Sequence, residues 1–138
     1  MLLVVLCTAL TGCEFAKVIL GTSTRKLEEA RRTAEVAKYE CTFEQCFDAV
    51  LSLAHNGFAG EPVSGEPYFD VFQKDRIKSY IVAMGVPGQI NTTEVGIFFV
   101  TLAPHTMQIE VSSLSSGAKQ KVARRVFQEL GMRFKKIP

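Results

Sequence analysis

The chain has little of several residue types that would identify a function. It contains no tryptophan, two histidines and four cysteines in 138 residues. Four cysteines are too few for a disulfide-rich scaffold. No apolar run reaches the roughly 18–20 residues that span a bilayer. The net charge of +2 is too small to indicate nucleic-acid binding. Hydrophobic residues make up 47% of the chain and charged residues 22%, so the composition predicts one ordinary globular domain.

The small net charge conceals an uneven distribution along the chain. The segment from Glu14 to Lys38 has a net charge of +2, and the segment from Tyr39 to Ser116 has −6. The segment from Gly117 to Pro138 has +6. The middle of the chain is therefore acidic and its C-terminal end is basic.

An uncharged apolar run opens the chain and ends in a cysteine. This run is too short to cross a membrane as a permanent helix, but it suits the apolar region of an export signal. Its last four residues, Leu10-Thr11-Gly12-Cys13, resemble the lipobox of bacterial lipoproteins. Export signals usually begin with Lys or Arg, and here none precedes Lys17.

The resemblance implies a location for the protein. In bacterial lipoproteins the signal is cut before the cysteine, so residues 1–12 would be the signal peptide and cleavage would separate Gly12 from Cys13. The Cys13 sulfur would carry palmitate-type acyl chains in the inner or outer membrane, on its extracytoplasmic side. Two or three chains, at about 0.8 kcal/mol per buried methylene, give stable anchoring. The alternative is that residues 1–10 form a strand or helix and that Cys13 is an ordinary buried thiol.

Residues 13–35 would connect this anchor to the folded domain. The part from Arg25 to Ala37 is rich in helix-forming residues. Its apolar stripe is narrow, with Leu27 as the one large side chain among alanines. The segment therefore predicts a short solvated helix or a frayed tether, and an arm that docks on a partner is the alternative.

The pattern over residues 36–138 predicts a single α+β domain of order β-α-β-β-β-β-α. Consecutive hairpins would give a mostly antiparallel sheet of about five strands, covered on one face by two helices in a two-layer arrangement. The spacing of Thr42 and Gln45 is that of a capping box, and it predicts a helix that ends near Asn56-Gly57. Pro87-Gly88 predicts a type II turn.

This order resembles that of a family of small bacterial lipoproteins of unassigned activity. It is also loosely similar to the helix-grip domains of outer-membrane-assembly lipoproteins. The resemblance covers roughly Val36 to Phe134 at the level of pattern, and the Leu-Ser-Leu-Ala helix end and the Thr-Thr-Glu-Val-Gly-Ile-Phe-Phe strand resemble a family signature. Because fold analogy does not establish function, it implies an architecture and no activity.

Cys41 and Cys46 flank the predicted start of the first helix. They occupy the two positions that touch in a hydrophobic staple. Outside the cytoplasm we expect a disulfide, worth about 2 kcal/mol for so small a loop. The alternative is a reduced apolar pair. Redox catalysis is the weaker interpretation, because the spacing is Cys-x4-Cys rather than Cys-x-x-Cys.

The sequence does not assemble a catalytic group, a cofactor site or a metal site. His55 and His105 are interpreted as polar surface residues. The C-terminal helix carries cations that could contact anionic phospholipids, at about 1 kcal/mol for each residue near the surface. A solvated helix face is the alternative interpretation. These cations are Lys119, Lys121, Arg124, Arg125 and Arg133.

Together these patterns predict a membrane-anchored, non-catalytic lipoprotein that binds an envelope protein or another envelope component, and not nucleic acid. Two alternatives remain open. One is a small-ligand-binding domain of helix-grip type, with an apolar cleft between sheet and helix. The other is an envelope redox protein that uses Cys41 and Cys46.

Overall fold

A computed structural model describes residues 24–54 and 68–138 of the chain. The lipobox, His55 and the helix end predicted at Asn56-Gly57 lie outside the described residues. The strands are β1 (Glu35–Glu40), β2 (Asp70–Asp75), β3 (Tyr80–Met84), β4 (Val95–Ala103), β5 (Thr106–Ser112) and β6 (Lys136–Ile137). The helices are α1 (Phe43–Leu51) and α2 (Ser116–Arg133). Residues 24–29 are α-helical and continue into a 3-10 turn, Ala30–Thr33; we call residues 24–33 the N-terminal helix.

The strands form one antiparallel sheet in the order β2-β3-β4-β5-β1-β6. The predicted α+β class is therefore confirmed, with six strands instead of about five. The additional strand is β6, which pairs with β1 at Lys38 and Tyr39. Its two residues are too few to produce a recognisable alternation of polar and apolar side chains.

Helix α1 begins with the predicted capping box. The Thr42 hydroxyl accepts a hydrogen bond from the Gln45 amide at 3.2 Å, and the Gln45 side chain accepts one from the Thr42 amide at 3.0 Å. The helix ends at Leu51, several residues before the predicted end. There the chain turns so that Ala54 forms a parallel bridge to Phe69 beside β2.

Helices α1 and α2 cover one face of the sheet, which we call the inner face. Their apolar side chains meet alternate strand residues in one continuous core. Phe43, Phe47 and Phe99 form its aromatic centre, with ring centroids 5.1–5.9 Å apart. Burying one large apolar side chain stabilises the fold by roughly 1.5–3 kcal/mol. Within the described residues, no helix combines the length and apolarity needed to cross a membrane.

The opposite, outer face carries the N-terminal helix. Leu27 is only 2% exposed and packs with Tyr80, Val82 and Phe98. The expected short helix is therefore present and largely exposed, but it is docked on the sheet through Leu27 and is not a frayed tether. The single large apolar side chain of the narrow stripe finds an apolar patch on the sheet, and charged neighbours such as Lys26 remain exposed.

The turn between β2 and β3 contains a residue type that usually favours strands. Ile77 lies in this turn and is 96% exposed. The Asp75 carboxylate accepts hydrogen bonds from the amides of Ile77 and Lys78 at 2.9 and 2.8 Å, and Ser79 has φ of 60°. An Asx turn of this kind overrides the strand preference of isoleucine.

The sheet has two distinct ends. At the lower end lie the β2–β3 turn and the β4–β5 turn. At the upper end lie the loop between β3 and β4, the linker between β5 and α2, and the start of α2. The predicted Pro87-Gly88 turn is confirmed there, since the Gln89 amide donates to the Val86 carbonyl at 3.1 Å and Gly88 has φ of 75°.

Candidate functional site

His105 and the ion pairs of Arg76 lie on the surface at the lower end of the sheet. His105 is exposed in the β4–β5 turn. Arg76 bonds the carboxylates of Glu44 and Asp48 at 2.6 and 2.9 Å. Among residues 24–54 and 68–138, no group of three His, Cys, Asp or Glu side chains could hold a metal ion.

Cys41 and Cys46 are joined by a disulfide at the start of α1. Their Cα atoms are 6.0 Å apart, which is within the range that a disulfide spans. Both residues are buried in the core under the inner face. Since thiol–disulfide exchange needs access to a sulfur atom, this burial favours a structural bond over a redox-active one.

The cations of α2 do not share one solvated face. Lys119 donates to the carbonyl of Thr33 at 2.6 Å, and Lys121 donates to the carbonyl of Pro87 at 2.9 Å. Both ammonium groups therefore hold neighbouring elements against the first turns of α2. Arg124 is exposed.

Arg125 was among the predicted phospholipid contacts, but the structure places it in a buried position. It is 8% exposed, and its guanidinium lies 3.7 Å from the equally buried Glu129 and 5.9 Å from the Tyr68 ring centroid. Glu129 also accepts from Arg133 at 2.8 Å. Its i,i+4 spacing from Glu129 places Arg125 on the buried side of α2, where it cannot reach a membrane surface.

Four contacts clamp the N-terminal helix to the rest of the domain. Besides the burial of Leu27 and the Lys119 bond to Thr33, the Ser112 hydroxyl donates to the Leu27 carbonyl at 2.9 Å. Arg31 donates to Glu110 on β5 at 2.6 Å, and its guanidinium lies 4.5 Å from the Phe98 ring centroid. The helix is thus fixed by an apolar contact, an ion pair and two hydrogen bonds.

The pKa of Arg31 reflects this position. Partial burial alone would lower the pKa, but the hydrogen bonds to Glu110 and Glu28 raise it further than burial lowers it. The raised pKa keeps the guanidinium charged where it pairs with Glu110.

A cavity of about 330 Å³ opens at the upper end, beside the N-terminal helix. It lies where that helix meets the loop before β4 and the linker after β5. Cavities of roughly 300 Å³ and larger are typical of small-molecule sites. Its walls combine two leucines, four hydroxyl side chains, a lysine and a glutamate: Lys26, Leu27, Thr92, Thr93, Glu94, Ser113, Leu114 and Ser115.

Two hydroxyls of the cavity are engaged in the local backbone. Ser113 donates to the Glu94 carbonyl at 2.6 Å, and its oxygen accepts from the Ser115 amide at 3.2 Å. The Ser115 hydroxyl caps α2 by accepting from the Ala118 amide at 3.3 Å. These bonds fix the shape of this wall, so the cavity is built from rigid elements on that side.

The packing of the N-terminal helix against this end of the molecule was not predicted from the sequence. The one signal for it was Leu27, the large side chain of an otherwise weak helical stripe. Ser112 and Glu110 alternate with apolar residues in β5, a pattern typical of a half-exposed strand. They carry the N-terminal helix instead, and Ser112 is fully buried.

Searches against models of known families, curated proteins and solved structures found no match for this chain.

Proposed function

We propose that this chain is a bacterial lipoprotein, anchored through Cys13 on the extracytoplasmic side of a membrane, whose domain is a non-catalytic binding module for an envelope component. The observation that carries the proposal is the position of Leu10-Thr11-Gly12-Cys13 at the end of an uncharged apolar N-terminal run. A lipobox has meaning at that place in a chain and nowhere else.

The clamped N-terminal helix supports the proposal because it limits the length of chain between the lipidated Cys13 and the folded domain. About 11 residues separate Cys13 from Thr24, so the chain between them spans at most roughly 40 Å. A free tether that extended to Glu35 would span about twice that distance. The docked helix therefore holds the domain close to the membrane that the acyl chains enter.

Binding, in preference to catalysis, is supported by how the reactive side chains are used. Cys41 and Cys46 are consumed in a buried disulfide. Arg31 and Arg76 form ion pairs that join elements of the fold, and Arg133 pairs with Glu129 within α2. The upper end offers a cavity and exposed side chains, which suit recognition of a partner.

Membrane fractionation of cells that produce the full chain tests the anchor. We expect the wild-type protein in the membrane fraction, and Cys13→Ala in the soluble fraction or held as an uncleaved precursor. Cys7→Ala is the matched control, because it removes another cysteine of the same apolar run. Cleavage and membrane association of Cys13→Ala equal to those of Cys7→Ala would contradict the proposal.

A small-ligand-binding domain is the second candidate, and the upper-end cavity favours it. The cleft of the helix-grip alternative would lie between the inner face and α2, and that space is filled by Val122, Val126 and Leu130, each fully buried. A ligand would therefore bind at the upper end. Native mass spectrometry should then show a co-purified small molecule that is lost in Thr92→Phe and kept in the distant Ile77→Phe. If the wild type and both variants each show only the mass of the polypeptide, with no added ligand, this second candidate is contradicted.

A further inference from the structure

We propose that the upper end of the domain is a membrane-contact surface. Ile90 and Leu114 enter the interface of an anionic bilayer, and Lys26 and Lys121 lie at its headgroups. This inference rests on the proposed lipid anchor. It adds a specific orientation of the domain, which the anchor alone does not require.

Ile90 and Leu114 are the two exposed apolar side chains that carry the proposal. They are 76% and 73% exposed. A single exposed apolar residue needs no explanation, but these two lie on adjacent loops of the same end. Leu114 lines the cavity together with Thr92 and Thr93, and the Thr93 amide donates to the Ile90 carbonyl at 2.9 Å.

The loop that carries Ile90 is held in place against α2. Lys121 donates to the Pro87 carbonyl, and the Ser115 hydroxyl lies 3.4 Å from the Gln89 side-chain oxygen. The left-handed Gly88 closes the turn. Ile90 is therefore presented on a fixed support, so it would lose little conformational freedom on insertion into lipid.

Three lysines slightly outnumber the two carboxylates around these two side chains, and this excess favours an anionic surface. Lys26 is exposed on the cavity rim, and Lys119 and Lys121 lie in the first turns of α2. Long lysine side chains can keep their ammonium groups at the headgroup level while apolar neighbours go deeper. Glu94 also lines the cavity, and Asp70 at the edge of the sheet adds a second carboxylate at this end.

The path of the chain brings this end to the membrane. The described structure starts at Thr24, within one helical turn of Leu27, and Leu27 lines the upper-end cavity. The lipidated Cys13 is at most roughly 40 Å of chain away from Thr24. The lower end lies about one strand length farther, on the order of 25 Å for β4. Of the two ends, the upper one therefore reaches the bilayer with less stretching of the linker.

Ile77 provides a matched control within the same molecule. It is also an isoleucine in a turn, and at 96% exposure it is more accessible than Ile90. It lies at the lower end, between β2 and β3. A general affinity of exposed isoleucine for lipid would act on both residues, whereas a defined orientation would bring only Ile90 to the membrane.

Single tryptophans test the orientation, because the chain contains none of its own. Ile90→Trp, Leu114→Trp and Ile77→Trp would be prepared as full-length, lipidated proteins. Each would be reconstituted into vesicles that contain brominated phospholipid, either with phosphatidylglycerol or with phosphatidylcholine alone. We expect blue-shifted emission and quenching about twofold stronger at positions 90 and 114 than at 77, as for side chains buried 5–10 Å into the interface.

The outcomes distinguish a failure of the proposed orientation from a failure of the proposed lipid anchor. Equal quenching at 77, 90 and 114 in proteins that carry acyl chains and float with vesicles would overturn the orientation and leave the anchor intact. Proteins without acyl chains that fail to float would overturn both. A difference between the ends that is the same in neutral and anionic vesicles would overturn the role of Lys26 and Lys121. Far-ultraviolet circular dichroism of each variant verifies that it has the wild-type fold.

Discussion

The inner face of the sheet is covered by two helices over a continuous apolar core, whereas the outer face is covered by one short helix that depends on a single leucine. Inside, Phe47, Phe99 and Leu130 are parts of one cluster that includes buried residues from β1, β3, β4 and β5. Outside, Leu27 meets three sheet residues, and polar contacts supply the rest of the attachment.

The contacts on the inner face stabilise the fold, whereas the contacts on the outer face fix the position of the N-terminal helix. Apolar burial scales with contact area and is largest under the inner face. The outer helix adds a small apolar contact and an ion pair, so its detachment would leave the inner core unchanged. We therefore expect substitutions on the inner face to unfold the protein, and substitutions on the outer face to release the N-terminal helix.

The largest effect is expected for Phe47→Ala on the inner face. Phe47 is fully buried between Phe43 and Phe99. Its truncation should cost about 3–5 kcal/mol in the free energy of unfolding, because it leaves a cavity in the core. Urea denaturation measures the loss. A cost below that of Leu27→Ala would reverse the ranking of the two faces.

Leu27→Ala tests the outer face. We expect a loss of about 2 kcal/mol, at the low end for buried leucines, because its cluster is small. Hydrogen exchange should become faster for the amides of residues 24–33 and stay unchanged in β4. Equal acceleration in the helix and in β4 would mean that the outer helix belongs to the same cooperative unit as the core. Lys26→Ala, an exposed neighbour, is the control.

The disulfide should add a comparable amount of stability to the inner side. Replacing both Cys41 and Cys46 by Ala should lower the free energy of unfolding by about 2 kcal/mol, as expected for a very short loop. Thermal unfolding of wild type with and without a reductant gives an independent measurement. An unchanged midpoint in the double variant would show that the bond does not stabilise the fold.

A smaller effect is expected for the ion pair between Arg31 and Glu110. It is partly buried, and a double-mutant cycle with Arg31→Gln and Glu110→Gln should give a coupling energy of about 1 kcal/mol. The exposed pair of Arg76 and Glu44 is the control, and its coupling should be near zero. Equal coupling energies for the two pairs would show that the ion pair of Arg31 and Glu110 does not help to hold the N-terminal helix on the sheet.

The smallest effect concerns pH. Burial raises the pKa of Tyr39, whose hydroxyl donates to the Phe127 carbonyl at 3.1 Å. As pH rises, the unfolded chain loses the phenol proton before the folded protein does. The contribution of this raised pKa to the free energy of unfolding is therefore intact below pH 10 and is lost as pH rises through the folded-state pKa. Over that range the free energy of unfolding falls by at most about 1.4 kcal/mol per pH unit because of Tyr39. Tyr39→Phe should show a shallower decline of stability above pH 10; an identical decline would contradict the assignment.

The parts of the fold that local rules determine could be predicted from the sequence. The Thr42 and Gln45 capping box and the Pro87-Gly88 turn each depend on residues within four positions of one another. The near-continuous apolar run of β4 is typical of a buried strand, and β4 lies between β3 and β5. Short-range chemistry and hydrophobic pattern were sufficient for these elements.

Long-range contacts explain what the sequence analysis missed. Leu27 is isolated in its stripe, and its burial depends on Tyr80 and Phe98, which are more than fifty residues away. The burial of Arg125 depends on Tyr68, and the strand at Lys136 depends on β1. In each case a residue distant in the sequence determines whether the side chain is buried or the strand is paired. The periodicity of the segment itself does not indicate which distant residue that is.

The mass of the mature protein, isolated whole from its membrane, tests the central claim most directly. The account predicts a polypeptide that begins at Cys13, lacks residues 1–12 and carries the added mass of two or three acyl chains, together with the loss of two hydrogens for the Cys41–Cys46 bond. A polypeptide that retains Met1 and carries no added mass at Cys13 would contradict it.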